Sequence, residues 1–188
     1  MTFEIDYEIC NKNELQNAML KAFEKDPTFN TYKFFAPVIY STFSTITIKT
    51  EGAVKPNNKI INVQNTNKSI QITDWVWDWC NFFSKNAIIP DTKTAHFVSS
   101  DNPLEILIQN SNNTIALTFT GLFCGKTEVE YACFLTNLTT FLKKFTSELI
   151  DINPNIKKNT EFKQMLENVK KIEQILTKNQ KGTFISHK

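Results

Sequence analysis

The first residues alternate in character. Phe3, Ile5, Tyr7 and Ile9 fall on one side, and Thr2, Glu4, Asp6 and Glu8 on the other. A period of two predicts a strand over 2–10 with one buried face. The period then changes. Leu15, Ala18, Met19, Ala22 and Phe23 share one stripe of a helix, with Asn13 as its cap and Asp26-Pro27 at its end. The residue before a proline is pushed out of the helical region, which stops the helix there. From Val38 to Thr50 the chain is rich in Ile, Phe, Tyr and Thr, residues that suit a pleated surface. Glu51-Gly52 and Lys55-Pro56-Asn57-Asn58 supply turn chemistry, Lys59–Gln64 reads as a second strand, and Asn65-Thr66-Asn67 loops out.

Residues 72–83 admit two periods. Trp75, Trp77 and Trp79 alternate, as in a strand. On a helical wheel, Trp75, Val76, Trp79, Cys80, Phe82, Phe83 and Ala87 gather on one side, opposite Asp74, Asp78, Asn81, Ser84 and Lys85. That cleaner separation favours a helix capped by Thr73 or Asp74. Thr94–Val98 predicts a short strand, and Glu105–Gln109 with Thr114–Thr120 predict a hairpin around Ser111-Asn112-Asn113. A long helix follows, beginning at Glu128-Val129-Glu130. Its stripe runs unbroken through Tyr131, Phe134, Leu135, Leu138, Phe141, Leu142, Phe145, Leu149 and Ile152, and Asn153-Pro154-Asn155 stops it. Phe162, Met165, Leu166, Val169, Ile172 and Leu176 mark a last amphipathic helix. Together these elements predict an α+β fold. It is a single domain over 1–180: a mainly antiparallel sheet, an N-terminal helix, a Trp-rich helix and a C-terminal antiparallel helix pair. Residues 181–188 read as a flexible tail.

Composition narrows the class. The 188 residues are 41% hydrophobic and 21% charged, as in one ordinary globular domain. All 21 basic residues are Lys, against 19 acidic ones, for a net charge of +2. Without Arg the chain lacks the planar fork that grips phosphates and reads guanine edges, which argues against phosphoryl transfer and sequence-specific DNA binding. The near balance of charge creates no field of one sign that would draw nucleic acid or a membrane surface. No apolar run approaches the ~18 residues of a membrane-spanning helix. Met1 leads into Thr2-Phe3-Glu4-Ile5-Asp6-Tyr7, without the basic and apolar regions of a secretory start. Cys10, Cys80, Cys124 and Cys133 are scattered, so reduced thiols and a cytoplasmic location are expected.

Three features carry candidate chemistry. Thr120-Gly121-Leu122-Phe123-Cys124-Gly125-Lys126-Thr127 resembles a phosphate-binding loop between a strand and a helix, but the required first glycine position is Thr120 and Gly121 lies one residue too close. The plainer expectation is a turn in which the glycines take positive φ. Cys124 or Cys133 with His96 would make a nucleophile and base, yet no third group is spaced to hold them, and four dispersed Cys with two His do not form a zinc pattern. Trp77 falls off the apolar stripe, among Asp74, Asp78, Asn81 and Lys85. An exposed Trp ringed by polar groups has the make-up of a binding hot spot, and these five residues are the expected partner-binding face. Glu128 and Glu130 fall on different faces of the expected long helix and support its N-terminus.

The Trp-rich helix Asp74–Phe83 after a strand, the hairpin Glu105–Thr120, and a long helix from Glu128-Val129-Glu130 to Ile152-Asn153-Pro154 make a layout that resembles bacterial immunity proteins. These come from polymorphic-toxin systems, including those paired with contact-dependent growth-inhibition toxins. The resemblance implies a non-enzymatic cytoplasmic protein that binds the C-terminal domain of one cognate toxin and occludes its active site. It implies no cofactor, no metal, no small-molecule substrate, no nucleic acid and no membrane. Many such proteins are acidic because their toxins are basic nucleases. At +2 this chain departs from that pattern, so a nuclease partner does not follow and the toxin's activity stays open. The alternatives are a nucleotide-binding enzyme using Gly121–Thr127, or a structural or phage-type subunit.

Overall fold

The computed structural model describes residues 2–9, 11–26, 43–51, 70–86, 93–99, 104–111, 114–121 and 125–183. The alternating N-terminal segment forms β1 (Thr2–Ile9), and its odd residues Phe3, Ile5, Tyr7 and Ile9 are buried. α1 (Lys12–Lys25) follows and buries Leu15 and Met19. Asn13 lies inside its first turn; the cap position is Asn11, which makes no side-chain cap bond and instead donates its amide to Glu14 at 3.0 Å. β2 (Phe43–Glu51) pairs antiparallel with β1 in full register, and the two-residue β3 (Ile70–Gln71) pairs with the start of β2. The expected strand over 59–64 and the first part of 38–50 lie outside the described residues.

The helical reading of the Trp segment is correct. α2 (Ile72–Asn86) starts at Ile72, so Thr73 is a buried residue of its first turn. A four-stranded antiparallel sheet comes next, ordered β4 (Thr94–Val98), β5 (Leu104–Ser111), β6 (Thr114–Gly121) and β7 (Gly125–Glu130). α3 (Tyr131–Ile152), a 3-10 turn (Pro154–Lys158) and α4 (Thr160–Thr183) complete the described chain. The α+β class is thus as expected. α4 is helical to Thr183, past the start of the expected tail, and 184–188 lie outside the described residues.

β7 corrects the expected start of the long helix. Residues 125–130 pair with β6 from Phe119↔Gly125 to Thr114↔Glu130. The helix begins only at Tyr131, directly after the strand. Glu128 and Glu130 therefore do not sit on two helix faces. They share one strand face with Lys126 and are exposed, while Thr127 and Val129 point into the core.

α3 is the hub of the packing. Its stripe meets β1, where Phe3 lies 5.2 Å from Phe134 and Tyr7 lies 5.4 Å from Phe141, ring to ring. The same stripe meets α2, where Trp75 lies 5.6 Å from Phe141 and Phe83 lies 5.4 Å from Phe134. Trp79 reaches across to Phe97 on β4 at 5.6 Å, which ties the helices to the inner face of the four-stranded sheet. Such tilted and edge-on pairs suit the aromatic quadrupole and add to the area they bury. Thr139 and Thr146 sit within this core without cost in lost bonds, since their hydroxyls donate to the carbonyls of Leu135 and Leu142. At the far end, the Asn153 side chain accepts from the Asn155 N–H, and Asn159 accepts from the Phe162 N–H at 2.9 Å, which caps α4. α4 then runs back antiparallel to α3, with Lys143 and Glu173 paired at 2.9 Å, and it packs on α2 as well.

A polar clasp joins β1 and the start of α1 to α3. The Tyr7 hydroxyl donates to Glu148 at 2.6 Å, and Lys12 meets the other oxygen of that carboxylate at 2.5 Å. Lys144 pairs with Asp6 and lies 4.7 Å from the centre of the Tyr7 ring. Burial alone would raise the Glu148 pKa, but the bonds from Lys12 and Tyr7 and the two ammonium charges hold it below the usual carboxylate range. Burial and the neighbouring Glu148 push the Tyr7 phenol well above its ordinary value.

Candidate functional site

The expected binding face on α2 is largely used within the fold. Trp77 is half-buried and packs against the core, so it is not the exposed anchor that the helical wheel suggests. Asp78 accepts a hydrogen bond from the Ser99 hydroxyl at 3.2 Å. Asn81 accepts from the Asn168 amide at 2.9 Å, across the contact between α2 and α4. The physical reason is that α4 lies over this side of α2, and a wheel drawn for one helix cannot show a second helix on its polar side. The Asp74 side chain lies outside the described residues, and of the other four Lys85 alone is exposed.

The reactive groups are also placed by structure. The glycine loop joins two antiparallel strands, β6 and β7, with Gly121 at φ 94° and Gly125 at φ 154°. The positive φ expected of these glycines is present. The helix that should follow a phosphate-binding loop, and aim its N-terminal N–H groups at the phosphates, does not start there. Cys80 is buried, and burial raises its thiol pKa far from the range of a nucleophile. Cys133 is half-buried, with the Asn137 amide 3.6 Å from its sulfur. His96 is exposed on β4 and, among the described residues, meets the Glu105 carboxylate at 3.1 Å. Cys10 and Cys124 lie outside the described residues. Among the described residues no cluster of His, Cys, Asp and Glu is placed to hold a metal ion, and no helix is long and apolar enough to cross a membrane.

A further accessible feature is the outer face of the four-stranded sheet. Register places Thr94, Gln109, Ala116 and Glu128 in one row across the strands, and His96, Leu107, Thr118 and Lys126 in the next. The inner face carries Phe97, Ile106, Ile108, Leu117 and Val129, all buried. Outward residues are exposed or half-buried, and Val98 keeps 56% of its surface open. The face bears a depression of about 700 Å³ between Lys93 and Thr94 at one edge and Lys126 and Glu128 at the other, with Gln109, Ser111, Thr114 and Ala116 between them. Sequence reasoning missed this face because its rows exist only once four strands are in register. The alternation of Glu105, Leu107 and Gln109 against Leu104, Ile106 and Ile108 was the one signal available.

Compared with known proteins, the chain matches no family model, no curated protein and no solved structure.

Proposed function

We propose that this chain is an immunity-type protein. It binds the toxic domain of a cognate bacterial toxin and blocks it by contact, through the outer face of the β4–β7 sheet and without a covalent step. The observation that supports this reading is that face: four registered strands, mainly apolar and buried beneath, open above. Its chemistry suits a protein partner. Lys93, Lys126 and His96 share this side of the sheet with Glu105, Glu128 and Glu130 and with the apolar Val98 and Leu107. Charges of both signs around apolar area are the make-up of a protein interface, whereas nucleic acid and anionic lipid call for one sign.

The test is growth rescue. The reading requires a large secreted toxin encoded beside this chain. Producing its C-terminal domain together with the full chain should restore growth, and calorimetry should show a tight complex. Val98→Asp combined with Lys126→Glu should weaken that complex at least about tenfold, while Lys85→Glu at the end of α2 should leave it unchanged. A toxin that stays active in the presence of the chain overturns the reading, as does turnover of a small molecule by the purified protein. Loss of binding only in the Lys85 variant moves the interface back to α2.

A further inference from the structure

Each described sheet ends in two edges, β1 and β3 in the first and β4 and β7 in the second. An edge strand presents a row of open backbone groups, and charged side chains beside that row keep other strands away. β1 carries exposed Glu4, Asp6 and Glu8, β7 carries exposed Lys126, Glu128 and Glu130, and β3 is two residues long. β4 differs. Thr94-Ala95-His96-Phe97-Val98 holds no Lys, Asp, Glu or Pro, and Thr94, His96 and Val98 are exposed. Two bonds to β5 fix its hydrogen-bond phase. The Asn110 N–H donates to the Lys93 carbonyl at 3.1 Å, and the Ser99 N–H donates to the Leu104 carbonyl at 3.0 Å. Bonded residues alternate along an antiparallel ladder, so Ala95 and Phe97 also face β5, and the N–H and C=O of Thr94, His96 and Val98 point away from it. Among the described residues these edge groups have no backbone partner.

We infer that the free edge of β4 is a self-association surface, occupied by the β4 edge of a second copy of this chain running antiparallel about a two-fold axis at His96. Self-complementarity selects that occupant. The register that sets His96 opposite the partner's His96 uses every edge group, because Thr94 then pairs with the partner's Val98 at both ends; a slip of two residues loses one of these pairs. In this register two β-branched side chains, Thr94 and Val98, meet across the strands, a favourable pair, and the small Ala95 meets the large Phe97. Val98, 56% open in the single chain, gains cover. The one charge brought opposite its like is that of His96, and the Glu105 carboxylate 3.1 Å from each imidazole offsets it. The four strands of each copy join into one continuous antiparallel sheet, with both outer faces on the same side. Five residues a side bury less than the ~800 Å² per partner of a stable complex, so the dimer forms reversibly and at high concentration. The inference does not depend on what the outer face binds.

The experiment is sedimentation equilibrium on the full chain from about 5 μM to about 500 μM. The mass should rise from one chain towards two across that range. His96→Pro removes an edge N–H and no bond to β5, and should raise the dissociation constant at least about tenfold. Thr94→Lys with Val98→Lys sets like charges opposite each other and should leave a monomer, whereas Thr94→Lys with Val98→Glu sets opposite charges there and should keep the dimer. That contrast carries the test should the proline perturb β4, and circular dichroism checks the fold of each variant. Lys126→Glu, on the far edge of the sheet, should leave the dimer unchanged. A single-chain mass throughout overturns the inference, as does a mass beyond two chains. So does a dimer indifferent to His96→Pro in a folded variant, or equal masses for the two double variants.

Discussion

At the residue scale, Glu148 holds the most concentrated charge chemistry in the described chain. Its folded pKa lies below the ordinary carboxylate value, so its contribution to stability is complete above that ordinary value and is lost as pH falls through the folded one. Tyr7 has the opposite sign. Its pKa is raised, so its contribution is complete below the ordinary phenol value near 10 and is lost as pH rises beyond it. Urea unfolding across pH should therefore show a fall on each side. Glu148→Gln should flatten much of the acid side, and Tyr7→Phe should cost about 1–2 kcal/mol at neutral pH. The tryptophans make a second residue-scale contrast. Trp79 is fully buried and touches rings on α2, α3 and β4, so Trp79→Ala should cost about 3–5 kcal/mol. Half-buried Trp77 should cost about 1–2 kcal/mol on the same substitution, measured in the same urea series. Equal losses would mean that the two rings are equally enclosed.

At the element scale, the β6–β7 hairpin replaces what the sequence suggests is a loop feeding a helix. Gly121 holds φ 94°, a region where a β-carbon meets the following carbonyl. Gly121→Ala should therefore destabilise by about 1–2 kcal/mol, read from the urea midpoint, and calorimetry with ATP and magnesium should give no heat. Elements with a strong period were legible from the chain alone. The alternation of β1, the stripe of α3 and the Trp-rich face of α2 each appear where the spacing of apolar residues puts them. β7 was not legible, because Gly-Lys-Thr-Glu-Val-Glu offers only Val129 as a large inward residue, and it joins α3 without a loop. Its strand form comes from pairing with β6, a contact that local pattern does not encode. The same limit applied to the candidate site. The polar side of α2 was correctly drawn as polar, but Asn81 and Asp78 face Asn168 and Ser99 rather than a partner.

At the scale of the whole molecule, α3 bears on β1, α2 and α4 at once. Each buries aromatic or branched side chains against it, so cutting the chain between elements leaves no half with a closed core. Lacking residues 1–9, the protein should lose Phe3, Ile5, Tyr7 and Ile9 from this core together with the clasp on Glu148. It should then unfold without a sharp urea transition and gain dye-binding apolar surface. A truncated chain that unfolds as cooperatively as the full one would show that β1 is dispensable.

The clasp has a consequence for how the protein is made. Tyr7 and Glu148 are 141 positions apart, so the first strand leaves the ribosome long before the helix that receives it. At typical rates of synthesis, the wait is roughly seven to thirty seconds. Through that interval β1 can pair with β2, but the greasy side of the ribbon has no native cover, and holding chaperones would have time to act on it. Slowing translation should therefore lower the yield of this protein more than that of a domain whose first strand buries its apolar face against a near neighbour.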